Sequence, residues 1–309
     1  MDIESRGRGG PERRSRNDAG TGTTGSGCLD KCDSALEVKR GILSRVEGAG
    51  KQLVAFERDL DDRLFPDHPL YCEGMLKPKL RGVIHLFYAL LLPLGIWHLH
   101  REANGSLAGQ IAGVIFVLSN LYCVGVSALY HCCSWTPSQE ILIQKLDHCG
   151  IAIYAAGVNV PVSLLLLEPV QGAVLLLLTL MSTGWTCWHV LNSRPAVWRF
   201  LVVALTIVLF FPVLAYRFSA FEWACALLNI LTQGSGMTVF VNRTPDLWPG
   251  VFGYHELFHL ICIIGMTVTY LANWSVIRRT CNPYAHQTEV LELLLPFLMG
   301  VRGVDSAYA

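Results

Sequence analysis

Charged side chains are scarce in this chain of 309 residues, and that scarcity limits the classes of protein to which it can belong. Asp, Glu, Lys and Arg make up 16% of the sequence, whereas soluble domains carry roughly 25%. Hydrophobic residues make up 52%, so water is not the only solvent expected around the folded chain. The composition therefore predicts a membrane protein, with the lipid bilayer as its first partner.

An excess of either charge is also missing, because 24 basic residues balance 24 acidic ones. This balance gives no electrostatic reason to expect a nucleic-acid partner, and nucleic-acid-binding motifs, Gly-rich phosphate loops and nucleophile elbows are absent from the sequence. No apolar stretch begins in the first 30 residues, so we expect no cleavable signal peptide. The 11 cysteines form no disulfide framework, since most lie in or beside apolar runs where a thiol acts as a small apolar residue.

What the chain does contain is a series of apolar runs of about 20 residues, each long enough to cross the hydrocarbon core of a bilayer as a helix. The connections between them are short, so the backbone must be satisfied within packed helices. The sequence predicts an all-α membrane protein, a seven-transmembrane helix bundle with a disordered N-terminal arm. The predicted spans are Val83 to Leu99, Leu107 to Tyr130, Leu146 to Leu167, Val170 to Leu191, Val197 to Tyr216, Ala220 to Val241 and Val251 to Val276.

Four regions follow from this pattern. Residues 1–34 are rich in Gly, Ser, Thr and Arg, and we expect a disordered cytosolic arm. Residues 35–80 have partial helical spacing and are expected to form an amphipathic juxtamembrane segment. Residues 81–278 hold the seven helices, and residues 279–309 form a C-terminal tail.

Basic residues near the ends of the predicted spans indicate the orientation, because cytosolic loops carry an excess of Lys and Arg. A cytosolic N-terminus places seven basic residues inside and four outside, and an odd number of spans then puts the C-terminus outside. The inside residues are Lys77, Lys79, Arg81, Lys145, Arg194, Arg199 and Arg243, and the outside ones are Arg101, Arg217, Arg278 and Arg279.

Ionisable residues recur at the ends of three of these runs. His131 ends the second span, Asp147 begins the third, and His255 and His259 begin the seventh, so alternating helices bring all four to the cytosolic side. Such residues are costly in a bilayer, so a cluster implies a partner or a task. His255 and His259 are four residues apart and project from one helix face, where both can bind the same metal ion.

A catalytic zinc ion usually has three protein ligands, which can all be imidazoles, and its fourth coordination position is open for water. The spacing therefore predicts a metal ion bound by His131, His255 and His259. Asp147 would orient or deprotonate the water, which could then attack an amide or ester at neutral pH. Ser127 lies one turn before His131, and it either hydrogen-bonds Asp147 or a ligand or bonds its own helix backbone.

His255 to His259 also matches H-E-x-x-H, the zincin metalloprotease motif, in which the glutamate is the general base. The helix continues into a membrane, and a separate histidine and aspartate already converge on the site, so the context disfavours a protease. Glu256 lies about 100° round the helix from His255, and its role stays open at this point.

Several separated motifs occur in a recognisable order, and together they resemble the haemolysin III branch of the progestin and adiponectin-receptor (PAQR) family. They are Lys77-Pro78-Lys79-Leu80-Arg81-Gly82-Val83-Ile84-His85, Ser127-Ala128-Leu129-Tyr130-His131, Leu146-Asp147-His148-Cys149-Gly150-Ile151, and Trp248-Pro249-Gly250-Val251-Phe252-Gly253-Tyr254-His255-Glu256-Leu257-Phe258-His259. The resemblance extends from about Lys77 to Trp274. The Glu and Asn that receptor-type members carry before the first span are not reproduced here.

The resemblance implies a seven-helix bundle with a cytosolic N-terminus, and zinc held by His131, His255 and His259. It places Asp147 and Ser127 at the positions that hold water in the family. It also implies kinship with membrane hydrolases such as the alkaline ceramidases, and with members that are receptors. Two functions follow: a lipid amide hydrolase that uses a zinc-activated water, or a non-enzymatic receptor or membrane-homeostasis protein with a structural zinc. A lipid is the expected substrate or ligand in either case.

Overall fold

A computed structural model describes residues 26–64, 78, 80–193 and 195–282, and these residues form helices joined by short connections, with no β-strand among them. The chain divides into two units at Phe56, and all seven candidate spans belong to the second. The helices are α1 (Ser26–Leu64), α2 (Val83–Glu102), α3 (Leu107–Cys132), α4 (Pro137–Pro161), α5 (Pro169–Asn192), α6 (Val197–Leu205), α7 (Phe211–Arg217), α8 (Ala220–Asn242) and α9 (Tyr254–Cys281).

Seven membrane-crossing segments are found among the described residues, which confirms the predicted fold class. Five of them are single helices. The third span joins α4 to a π-helical turn at Val162–Leu166, and the fifth joins α6 and α7 through a 3₁₀ segment at Thr206–Phe210. Pro161 and Pro212 lie next to these irregular turns, and each lacks the backbone N–H that a regular α-helix requires. The protein is therefore an integral, multi-pass membrane protein.

The first helix begins earlier than predicted, at Ser26, and runs through Gly48 and Gly50 to Leu64. Each glycine costs a helix about 1 kcal/mol relative to alanine, which a helix of this length tolerates. Its apolar side chains Ile42, Leu43 and Val46 are exposed. Residues 1–25 of the predicted arm, residues 65–77, and residues 283–309 of the predicted tail lie outside the described residues.

The third span differs most from its predicted bounds, because α4 begins at Pro137 and not at Leu146. Thr136 and Gln139 form a capping box at its start, and Pro137 occupies the first turn, where its missing N–H is harmless. Asp147 consequently lies about three turns inside the helix. The prediction that Asp147 begins the span was wrong. Polar residues near the start of α4 interrupt the apolar pattern, but the helix continues through them.

The core of the second unit lies between α2, α3 and α9. Buried side chains from all three helices form one cluster, with Leu92, Leu99, Phe116, Val124 and Ile277 among its members. On the other side of α3, Gly150 of α4 packs so closely that a Cβ atom there would lie 3.0 Å from the Cα of Cys123. These contacts bring the end of α3 and the starts of α2 and α9 to one end of the bundle.

Candidate metal centre

Three histidines converge where the last turn of α3 meets the first turns of α9. His131, His255 and His259 each offer one ligand atom, and these atoms lie within 4.8 Å of one another, so the group could hold a metal ion. The ring centroids of His255 and His259 are 4.6 Å apart, and that of His131 lies 5.0 Å from each. His131 and His259 are each 3% exposed, and His255 is half-buried.

The convergence has a simple origin in the helices. Residues four apart on α9 lie on the same face, which places the rings of His255 and His259 one above the other. His131 reaches them from α3, which ends one residue later at Cys132. The donor set is three imidazole nitrogens, and zinc is among the divalent metals that such ligands suit.

Asp147 and Ser127 form the polar pair beside this group. The Ser127 hydroxyl of α3 lies beside the Asp147 carboxylate of α4. Ser127 is buried and lies one turn before His131 on α3, whereas Asp147 is half-buried. Asp147 is not a member of the three-histidine group, so it is not a candidate metal ligand.

Glu256 makes contacts that bear on the H-E-x-x-H motif. Its carboxylate accepts a hydrogen bond from the backbone N–H of Gly253 at 2.7 Å, which caps the start of α9, and another from Nε of Arg81 at 2.5 Å. The residue is only 1% exposed, so the carboxylate is a buried charge that Arg81 neutralises. Both oxygens are engaged in these contacts, unlike the free general base of a zincin.

The segment from Leu80 to Gly82 packs the start of α2 against the centre. Leu80 donates a backbone hydrogen bond to the carbonyl oxygen of Val251, beside the Arg81–Glu256 pair. Gly82 adopts a φ of 81°, and a Cβ atom there would lie 2.7 Å from the Cβ of His131. The segment therefore contacts both the helix end that carries His131 and the turn that precedes His255.

A model of the haemolysin-III-related family matches residues 74–270, nearly two thirds of the chain. The chain belongs to the haemolysin-III-related family. This confirms the resemblance stated from the separated motifs.

All five predicted site residues of this haemolysin-III-related protein fall inside the matched range, as do Arg81 and Glu256. Helix α1 precedes the range, and the last turns of α9 follow it. The family relationship therefore concerns the seven-helix bundle and the residues at its histidine end.

The sequence indicates no special role for His85, because a lone histidine at a membrane interface usually just places its polar tip in the interface. An interfacial histidine tip would be exposed, but His85 is only 7% exposed, and its ring stacks on that of His259 with centroids 4.0 Å apart. Its position in the first turn of the first span, on the same side as the other histidines, was the available signal. Gly82, three residues earlier in the chain, packs closely against the end of α3.

Proposed function

We propose that this haemolysin-III-related protein is a zinc-dependent membrane hydrolase that cleaves a lipid amide of the ceramide type. The observation that carries the proposal is the convergence of three imidazole ligand atoms within 4.8 Å, at one end of a bundle that crosses the bilayer. The neighbouring side chains of Ser127 and Asp147 support it, because Ser127 lies one turn before His131 on α3 and the Asp147 carboxylate lies beside Ser127.

The ligand chemistry fits zinc. His131, His255 and His259 would hold the ion, and three protein ligands leave one coordination position for water or substrate. Bound zinc would lower the pKa of water to about 7 and polarise a carbonyl group.

The residues of the chain then have separate tasks. Ser127 lies beside Asp147 and would orient the carboxylate by donating a hydrogen bond to it. Asp147 accepts a proton from the water as its oxygen adds to the amide carbon. The same group returns the proton to the nitrogen as the carbon–nitrogen bond breaks, and the products are a fatty acid and an amine.

The position of the centre supports a lipid substrate. The three histidines lie near the ends of membrane spans, and helix ends lie close to the level of the lipid headgroups. An amide that joins an acyl chain to a headgroup lies at a similar depth. The lipid-facing surface of α2 is apolar, with Phe87, Leu90 and Leu94 well exposed, so an acyl chain meets compatible surface there.

The test uses purified full-length protein in lipid nanodiscs that contain a long-chain N-acyl sphingoid amide. Zinc-loaded protein should release fatty acid, a chelator should stop the release, and added zinc should restore it. Asp147→Asn should reduce turnover by about 100-fold or more while bound zinc stays the same. His100→Ala removes an exposed histidine at the far end of α2 and is the matched control, with unchanged turnover expected.

Two outcomes would overturn parts of the proposal. Full activity in Asp147→Asn would remove the carboxylate from the mechanism. Zinc-bound wild-type protein without turnover would favour the alternative of a receptor or membrane-homeostasis protein with a structural zinc. In that case substitution of His259 by alanine should lower the melting temperature and the zinc content together.

A further inference from the structure

The imidazole of His85 is buried beside the three-histidine group, and its two nitrogen atoms are the feature that our proposal explains. Within the described part of the chain neither Nδ1 nor Nε2 has a hydrogen-bond partner, although both are buried. A neutral imidazole offers one donor and one acceptor, and leaving both unpaired inside a protein costs free energy. Such a group indicates a polar ligand that occupies the adjacent space.

The stacking on His259 shows that His85 is not placed as a fourth metal ligand. The two ring planes are only 7° from parallel, with centroids 4.0 Å apart. An imidazole binds a metal in the plane of its own ring, at about 2.0–2.1 Å from the nitrogen. An ion in the plane of His259 therefore lies well outside the plane of His85, and His85 is not a member of the group whose ligand atoms converge.

The structure places a buried hydrogen-bonding side chain against the ring of a candidate metal ligand, with ring centroids 4.0 Å apart. We propose that His85 binds the carbonyl or carboxylate oxygen of an acyl lipid held at the three-histidine centre. This rests on the proposed metal binding but not on turnover, because a receptor that holds an acyl lipid would need the same contact. His85 is then a ligand-binding residue that contributes to specificity for oxygen-bearing groups.

The experiment measures ligand binding in a form of the protein that needs no catalysis. The full-length protein in nanodiscs is loaded with Co²⁺, whose visible absorption changes when an added group enters its coordination shell. Octanoate, a carboxylate with an apolar chain, is the probe. Octanoate is titrated into the wild type and into His85→Phe, which keeps an aromatic ring for stacking on His259 but has no polar atom.

His85→Phe should bind Co²⁺ as tightly as the wild type and bind octanoate about tenfold more weakly. His85→Asn and His85→Gln place an amide nitrogen near the positions of Nδ1 and Nε2 respectively. The variant that restores octanoate binding identifies the nitrogen that faces the ligand.

The possible failures are distinguishable. A wild type that binds no Co²⁺ would overturn the metal centre and the proposed function with it. Weaker Co²⁺ binding in His85→Phe, with a spectrum of lower coordination, would make His85 a ligand instead. Equal octanoate affinity in the wild type and His85→Phe, with normal Co²⁺ binding, would leave His85 a stacking residue and would not affect the proposed hydrolase. His100→Phe is the control for aromatic substitution of an exposed histidine.

Discussion

At the scale of single residues, the backbone conformation of Gly82 affects the geometry of the three-histidine group. Its φ of 81° is unfavourable for any residue with a Cβ atom, and that atom would also press on the Cβ of His131 at 2.7 Å. We expect Gly82→Ala to destabilise the protein by more than about 1–2 kcal/mol, the strain of the left-handed conformation alone. Zinc affinity, measured by competition with a chromophoric chelator, should fall as well, because His131 must move.

Gly105 is the matched control for that substitution. Its φ is 79°, almost the same as at Gly82, but no heavy atom lies within 4 Å of the position that its Cβ would take. Gly105→Ala should therefore lower the melting temperature and leave zinc affinity unchanged. Equal zinc affinity in both variants would contradict the view that the turn at Gly82 positions His131.

The buried pair of Arg81 and Glu256 gives a second prediction at this scale. Arg81→Met should cost about 3 kcal/mol, because the carboxylate loses its partner while it stays buried. Glu256→Gln should recover most of that loss in the double variant, since the glutamine keeps the capping bond to Gly253 without a charge. Unfolding of each variant in detergent measures the coupling.

The same Glu256→Gln variant tests whether the glutamate is a general base. We expect it to retain most of the wild-type turnover, because both of its oxygens are engaged with Arg81 and Gly253. A loss of about 100-fold or more with zinc still bound would instead favour the zincin arrangement.

The candidate ligands could be identified from the sequence, whereas their surroundings could not. The pairing of His255 with His259 follows from helical periodicity, and the arrival of His131 follows from alternation of the spans. The stacking of His85 on His259 and the ion pair of Glu256 with Arg81 each join residues about 175 positions apart in the sequence. Periodicity carries no information about either contact.

At the scale of elements, α9 carries the candidate ligands near one end and a separate ionic cluster near the other. Glu222 of α8 accepts hydrogen bonds from Arg279 at 2.8 and 2.9 Å and from Ser275 at 2.9 Å, and its carboxylate also caps α8 through the backbone N–H of Ser219. Glu222 is 1% exposed, so Arg279 neutralises a buried charge that ties α8 to α9.

Arg279→Met should lower stability by about 2 kcal/mol without changing zinc affinity. Arg279 lies about 30 Å along the helix from His259, at roughly 1.5 Å per residue, so the loss should not reach the metal centre. Thermal unfolding and zinc competition on the same sample measure the two effects. A fall in zinc affinity as large as that in Gly82→Ala would show that α9 transmits the change along its length.

Prediction was accurate for whole spans and less so for their bounds. Apolar length alone identified seven helices, because a bilayer requires about 20 apolar residues in each. The start of α4 was misplaced, since Glu140, Gln144 and Lys145 are polar or charged and interrupt the apolar pattern ahead of Leu146. Glu140 is 1% exposed, and no feature of the local sequence indicates that burial.

At the scale of the whole bundle, contacts between helix ends show the alternation of the spans. At the histidine end, Arg81 meets Glu256, and Lys145 donates to the carbonyl oxygen of Leu191 at 2.8 Å. At the opposite end, the pairs are Arg278 with Glu102 at 3.6 Å, Arg217 with Glu168 at 2.6 Å, and Arg279 with Glu222 at 2.8 Å. At each end of the bundle, therefore, the start of one helix lies beside the end of a helix that runs in the opposite direction.

Because the spans alternate in direction, the protein has only two possible orientations, with either the histidine end or the opposite end facing the cytosol. The distribution of basic residues should indicate which of the two is adopted. Lys145 and Arg199 lie in the first part of their spans and Arg243 directly follows one, all on the histidine side, and we expect that side and the N-terminus to face the cytosol. Epitope tags at the two ends, each probed with antibody before and after permeabilisation of the cells, measure the orientation. The N-terminal tag should be detected only after permeabilisation and the C-terminal tag before it, in cells that display the protein at the surface. Detection of both tags under the same condition would contradict seven crossings, whereas the reverse pattern would keep seven crossings and move the metal centre to the outer side of the membrane.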